Sequence, residues 1–270
     1  LNFILLRSIS LSKGEGDILL LYHNFVLVGK VLTYFKMWVN LSIKGGKMSE
    51  KFKKPSEDNL EDIIEYYSKI MNKTKEIMEF WKSYGPENAP TQASKELIKV
   101  MYDWQISLTD SLKRWIEIEK SITIGDLILA RANIGIIVEN WLKFFMTVYA
   151  DDFYPEKKIS INKLCFKDLI KFFTKVTNPK IIHKKLSEFD HYLSEEQLAN
   201  ELKRRKEELK CFSSIIRWLN IVRNKRNAVH SFNYTDLGSP NDFLEDSRTL
   251  DSFIDFIIAR LPNLDLPIVG

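Results

Sequence analysis

The residues best suited to chemistry lie in one short run, Arg223-Asn224-Lys225-Arg226-Asn227-Ala228-Val229-His230. A histidine titrates near neutral pH, so its imidazole can take a proton from a ribose 2′-hydroxyl or return one to a leaving oxygen. A guanidinium can hold a phosphate through two hydrogen bonds and stabilise the charge that develops on it. An asparagine amide can orient either group. The run therefore carries the side chains that could cleave a phosphodiester without a metal ion.

Helical spacing predicts that these side chains share a face. In an α-helix, the seven steps from Arg223 to His230 turn the chain through about 700°, which is about 20° short of two full turns. Asn227, four residues after Arg223, lies beside them. We predict a catalytic face formed by Arg223, Asn227 and His230. Asn224 is adjacent to it.

Other charged residues are candidates for substrate binding. Lys225 and Arg226 belong to the run, and we expect them to be solvated or to contact phosphate. Glu139 lies on an apolar segment and needs a partner if it is buried. We expect that partner to be Arg223 or Arg131, which would place Glu139 near the site.

The basic cluster at residues 203–206 is interleaved with glutamates. A cluster of this kind is usually a solvated helix face, and the alternative is a surface that guides RNA. Cys165 and Cys211 have no Cys or His neighbour in the sequence, so no zinc spacing is visible. Lone cysteines are typical of a reducing cytoplasm. We expect no metal or other cofactor, and we expect His183 and His191 to be surface residues.

The elements that must position the run are all helical by pattern. Ten Gly and eight Pro leave long uninterrupted stretches, and apolar residues recur at steps of three and four without sustained strand alternation. We therefore predict an all-α fold in which the Trp and Phe side chains, including Trp104, form the core. The predicted helices cover approximately residues 60–84, 91–115, 122–149, 166–176, 180–192, 194–230 and 240–261.

Short connections between these helices favour antiparallel neighbours in a bundle. We predict one domain over residues 59–262, with an insertion-like helical segment over residues 156–193. Residues 48–58 are expected to be a flexible lead-in, and residues 263–270 a tail.

The first 47 residues differ in character from the rest. They hold six basic and two acidic side chains, an excess equal to the net charge of +4 of the whole chain. The remainder has no overall basic character, so any binding of RNA must come from a local patch.

A purine-rich bacterial ribosome-binding site, translated in frame, would encode Lys44-Gly45-Gly46-Lys47-Met48. This favours Met48 as the natural start and residues 1–47 as a translated leader. The alternative is a loosely attached helix over residues 17–39. A membrane anchor there is a weaker possibility, because charged and polar residues interrupt the apolar stretch.

The run resembles the signature of the HEPN superfamily. In that signature an arginine is usually followed by a polar residue, and four to six residues separate the arginine from a histidine. Here Asn224 follows Arg223, and six residues separate Arg223 from His230. Arg226 lies too close to His230 to fit that spacing. The resemblance covers the last two helices and extends loosely to residues 130–154, which look like the preceding core helix of such domains.

This resemblance implies a HEPN-like antiparallel helical bundle with additional helices. It also implies a metal-independent endoribonuclease that acts as a homodimer and brings two motifs to one cleft. Arg223 would bind the phosphate and His230 would be the general acid or base, while Asn224 and Asn227 would position them. A cytoplasmic toxin or phage-defence effector, with an antitoxin or other partner protein and no membrane, fits this description. The alternative is a non-catalytic HEPN-like module that binds a nucleotide or a protein.

Overall fold

Every regular element in the described part of the chain is helical. The computed structural model describes residues 60–117, 122–153, 160–187, 190, 194–230 and 235–262. Its α-helices are α1 Leu60–Asn88, α2 Thr91–Leu97, α3 Tyr102–Asp110, α4 Leu112–Glu117, α5 Ile124–Val148, α6 Ala150–Phe153, α7 Phe166–Val176, α8 Pro179–Leu186, α9 Glu195–Arg226 and α10 Pro240–Ile258. The prediction of an all-α fold is confirmed.

All described residues belong to one compact unit, Ser56–Gly270, and the other unit of the chain, Leu1–Pro55, lies outside them. The expectations for residues 1–47, for residues 48–58 and for the tail at residues 263–270 therefore fall outside the described residues. Among the described helices, none is both long enough and apolar enough to cross a membrane.

The long helix predicted from Thr91 to Trp115 is broken into α2, α3 and α4. The chain leaves helical geometry over residues 98–101 and again at Ser111. The carbonyl of Leu97 accepts from the Val100 N–H at 3.1 Å and from the Tyr102 hydroxyl at 3.2 Å, so this backbone acceptor has partners where the first helix ends. The breaks change which side chains are buried, because the helical register is lost at each one.

Trp104 shows the effect of that change. We predicted it in the core, but its side chain is 69% exposed, and the neighbouring Ile98 and Met101 are exposed as well. Trp81 and Trp141 are fully buried, as predicted. The interpretation of evenly spaced tryptophans as core residues was therefore wrong for Trp104, which lies just after the first break.

The helix α5 forms the centre of the unit. Thr123 caps its N-terminus through a reciprocal pair of hydrogen bonds with Asp126, which satisfies two backbone donors that would otherwise have no partner. Its side chains are buried on most sides along its length, and they include Trp141, Phe144 and Phe145. An apolar helix with few solvent-facing positions can be accommodated only in the interior.

The helix α9 packs on α5 and runs in the opposite direction. Arg226 at the end of α9 lies on Gly135 in α5. At the other end, Arg260, which follows α10, links α9 to the end of α5. Its guanidinium donates to Glu208 of α9 at 2.8 Å, and its carbonyl accepts from the hydroxyl of Tyr149, the residue after α5. Later residues of α9 therefore pair with earlier residues of α5, so these two helices are antiparallel.

The segment expected to be insertion-like contributes to this same core. Phe173 of α7 is fully buried, and its ring makes edge contacts with Phe145, Phe253 and Phe256 at centroid separations of 5.4, 6.1 and 5.9 Å. Edge-to-face aromatic packing of this kind adds to the free energy gained by burying the rings.

The start of α10 is as predicted from the sequence. Ser239 is the N-cap, Pro240 is the first helical residue, and Asp242 completes a capping box. Hydrogen bonds from the Ser239 backbone and hydroxyl lower the pKa of the Asp242 carboxyl. Gly238, just before the cap, has a φ of 68°, a conformation that glycine adopts without steric strain.

The contrast between Trp81 and Trp104 can be tested by substitution. Trp81→Ala removes a buried ring and should lower the free energy of unfolding by about 3–5 kcal/mol. Trp104→Ala removes a ring that is mostly in water and should change it by less than about 0.5 kcal/mol. Urea unfolding followed by circular dichroism measures both. A comparable loss in Trp104→Ala would show that this side chain packs in the protein.

Candidate functional site

The helix α9 ends inside the run of candidate residues. Its last residue is Arg226, a 3₁₀ turn covers Asn227–Val229, and His230 follows with φ −89° and ψ 83°. The prediction of one uninterrupted α-helix from Arg223 to His230 is therefore wrong. The tighter 3₁₀ turn advances each residue by about 120°, so the α-helical angle between these two side chains does not apply.

The four predicted catalytic side chains remain accessible to solvent. Asn224, Asn227 and His230 are exposed, and Arg223 is half-buried. The Arg223 guanidinium donates to the Asn224 side-chain oxygen at 3.1 Å. No acidic side chain among the described residues pairs with it. The imidazole of His230 makes no hydrogen bond within the described part of the chain. These groups are free to meet a ligand at the surface.

Lys225 and Arg226, in contrast, are committed to contacts inside the protein. Lys225 Nζ lies 3.0 Å from Asp246 Oδ2 on α10. Arg226 Nη2 lies 3.2 Å from Glu139 Oε2 on α5. Both lysine and arginine are half-buried, and neither matches the expectation of a solvated or phosphate-contacting side chain. Of the three cations in the run, Arg223 is the one that has no acidic partner among the residues that the structure describes.

Glu139 lies beside the site, but its partner is not the one we predicted. It accepts from Arg226 and from Lys143 Nζ at 2.8 Å, and not from Arg223 or Arg131. The reason is the rotation of α9, because residue 226 and not residue 223 faces α5. Two cations neutralise this half-buried carboxylate, so it belongs to the support of the run.

Close packing of α9 on α5 depends on a glycine. A Cβ placed on Gly135 would lie 2.4 Å from both Cβ and Cγ of Arg226, well inside van der Waals contact. The absence of a side chain at residue 135 lets the last turn of α9 lie directly on α5.

Asp246 is a functional candidate that sequence analysis missed. It is 8% exposed and accepts hydrogen bonds from Trp218 Nε1 at 2.9 Å, from Lys225 and from Arg131. Arg131 is 2% exposed, and burial lowers the pKa of its guanidinium, which the nearby Asp246 opposes. A sequence signal existed, because Asp246 lies one helical turn after Asp242 on the apolar side of α10.

The basic cluster at residues 203–206 divides into two pairs. Lys203 and Lys206 are exposed. Arg204 pairs with Glu201, and Arg205, which is buried, pairs with Asp190 and Glu201. Neither a solvated face nor an RNA-guiding surface describes these two arginines, whose charges are satisfied within the protein.

His183 is not the surface residue that we expected. Only 9% of it is exposed, and its Nε2 lies 2.9 Å from Glu208 Oε2 on α9. His191 lies outside the described residues. Within the described ranges, no group of three or more His, Cys, Asp or Glu side chains is placed to hold a metal ion.

Comparison of the chain with protein-family models, with curated proteins and with solved structures gave no match.

The role of Gly135 gives a test of the site's support. Gly135→Ala should lower the free energy of unfolding by about 1–3 kcal/mol, because the added methyl group overlaps Arg226. Gly125→Ala is the matched control, since Gly125 lies in the same helix and its nearest neighbour, the Thr123 hydroxyl, would be 3.7 Å from the new Cβ. Thermal unfolding compares the two. Equal stability of both variants would contradict the close contact.

Proposed function

We propose that this protein is a metal-independent endoribonuclease of the HEPN type, and that its helices form a HEPN-like bundle with additional helices. One observation carries the proposal. A short surface segment at the end of α9 presents Arg223, Asn224, Asn227 and His230 to solvent, while the other two cations of the run are neutralised internally. The side chains suited to phosphodiester cleavage are those that the fold leaves free.

In the proposed reaction the ribose 2′-hydroxyl attacks the neighbouring phosphorus. The bond from phosphorus to the 5′-oxygen breaks, which leaves a 2′,3′-cyclic phosphate and a free 5′-hydroxyl. His230 takes the proton from the 2′-hydroxyl or gives one to the departing oxygen. Arg223 holds the phosphate and stabilises its growing negative charge, and Asn224 and Asn227 orient these groups.

A second copy of the chain completes the proposed site. Each chain offers one histidine at the run, whereas the reaction needs both a general base and a general acid. A two-fold homodimer brings two runs to one cleft and supplies both roles. We place this activity in the cytoplasm, where a toxin or a phage-defence effector with an antitoxin or other partner protein would act on RNA.

The alternative is a non-catalytic module of the same fold that binds a nucleotide or a protein. The balanced charge outside residues 1–47 favours it, because proteins that bind long RNA usually carry an excess of positive charge.

The enzyme hypothesis predicts a loss of RNA cleavage on substitution of His230. His230→Ala should lower the cleavage rate at least about 100-fold, because general acid–base catalysis contributes about 10²–10⁴. The full chain is incubated with a mixed RNA pool in excess chelator, and the products are separated by electrophoresis. Cleavage should continue in chelator with the wild-type chain and should yield cyclic phosphate ends.

Arg223→Ala should reduce cleavage to a similar degree, and Arg217→Ala is its matched control. Arg217 is exposed on the same helix but lies outside the run, so its substitution should leave the rate unchanged. Full activity in purified, folded His230→Ala would refute the enzyme hypothesis. Binding of RNA or nucleotide without cleavage by the wild type would favour the module.

A further inference from the structure

Two buried residues, Asp246 and Arg131, contact the chain before and after His230: at the last turn of α9 and at the start of α10. We propose that Asp246 is a positioning residue, which acts through Lys225 at the end of α9 to fix the turn that carries His230 relative to Arg223. This inference rests on the proposed function, because it concerns the same site.

The first of these contacts is at the last turn of α9. Lys225, two residues after Arg223, donates to Asp246 Oδ2 at 3.0 Å. The other carboxylate oxygen of Asp246 accepts from Trp218 Nε1 at 2.9 Å, two helical turns earlier on α9. One buried carboxylate on α10 therefore holds α9 at two points, which prevents its last turns from sliding or rotating.

The second is at the return of the chain into α10. Arg131 Nε donates to the carbonyl of Leu237 at 3.1 Å, and its Nη1 donates to the carbonyl of Asp242 at 3.4 Å. Nη1 also contacts Asp246 itself. These two side chains thus contact α9 before His230, through the side chains of Lys225 and Trp218, and the backbone after it, at Leu237 and Asp242.

Arg226 fixes the last turn of α9 from a second direction. Consecutive residues on an α-helix point about 100° apart, and Lys225 and Arg226 reach different helices, Asp246 on α10 and Glu139 on α5. The last turn of α9 is therefore fixed in two directions, between Arg223 and the 3₁₀ turn that leads to His230.

The ionic character of this arrangement favours positioning over stability. A buried ion pair often contributes no more to stability than well-packed apolar side chains of the same size would. Directional hydrogen bonds to a carboxylate, however, set the register and rotation of the elements that they join. Catalysis depends on such placement, because a displacement of about 1 Å can lower the rate about 100-fold.

Positioning and substrate binding by Lys225 predict different results. If Lys225 contacted phosphate, Lys225→Met would raise KM, and Asp246→Asn would free the lysine and lower KM. If Asp246 and Lys225 position the segment, both substitutions should lower kcat and leave KM unchanged. We expect a fall in kcat of about 10–100-fold in each variant.

Lys73→Met is the matched control. Lys73 is a half-buried lysine that pairs with Asp251 and Asp255 on α10 at 2.7 and 2.6 Å, away from the run. Its substitution removes the same kind of ion pair from the same helix and should leave kcat unchanged. Equal losses of kcat in Lys73→Met and Lys225→Met would mean that a general loss of stability, and not positioning, explains the effect.

A second readout does not depend on RNA cleavage. The chain has four histidines, so the imidazole resonances can be assigned by NMR with His230→Ala as a reference. The His230 resonance should shift or broaden in Lys225→Met and Asp246→Asn and should stay unchanged in Lys73→Met. An unchanged His230 resonance in both site variants would overturn the proposal.

The two readouts separate the two hypotheses. A wild-type chain that does not cleave RNA would refute the proposed function, while the NMR comparison would still decide whether Asp246 and Lys225 hold His230. An active wild type with normal kcat in Asp246→Asn and Lys225→Met would refute positioning alone. If Asp246→Asn does not fold, Lys225→Met still tests the proposal, because Asp246 then keeps Arg131 and Trp218 as partners.

Discussion

The contact between Gly135 and Arg226 determines where the candidate site can lie. Without a side chain at residue 135, the last turn of α9 approaches α5 closely enough for the aliphatic part of Arg226 to lie on the α5 backbone. That approach places the guanidinium of Arg226 beside Glu139 and turns Lys225 toward α10. The rotation of α9 is then set, and the side of its last turn that includes Arg223 and Asn224 is left facing solvent. Exposure of the motif thus follows from how its neighbours are buried.

Charged side chains join the helices at both ends of the antiparallel pair α5 and α9. Near the run, Asp246 joins Arg131, Lys225 and Trp218. At the other end, Glu208 accepts from His183, Arg204 and Arg260. Between these two clusters, contacts among aromatic and aliphatic side chains supply most of the favourable free energy of folding, but they are poorly directional. Hydrogen bonds from several donors to one shielded carboxylate are directional, so they are suited to fixing the ends of helices whose middles could pack in several registers.

Sequence patterns correctly predicted the helix starts that depend on hydrogen bonds between residues close in the chain. The capped start of α10 at Ser239 and Pro240, and the start of α9 after Ser194, follow from hydrogen bonds within one turn, and both predictions are confirmed. The breaks around α3 and the end of α9 at Arg226 were not predicted, because contacts with distant residues decide them. Partners of charged residues were missed for the same reason. Glu139 meets Arg226 across 87 positions of sequence, and helical periodicity cannot say which face of α9 turns toward α5.

The pairing of Lys225 and Arg226 inside the protein affects what the candidate site can bind. A motif with three cations within four residues suggests strong, nonspecific attraction to polyanions, but two of those cations are neutralised by carboxylates on α5 and α10. In the proposed site, attraction to RNA would depend mainly on Arg223, so few counterions would be released on binding. The proposed site would hold one phosphate and its neighbours by hydrogen bonding and shape, and not by a broad electrostatic field. Such a site would suit a chain whose charge is balanced outside residues 1–47, and the placement of each side chain around a bound phosphate would matter more than the number of positive charges.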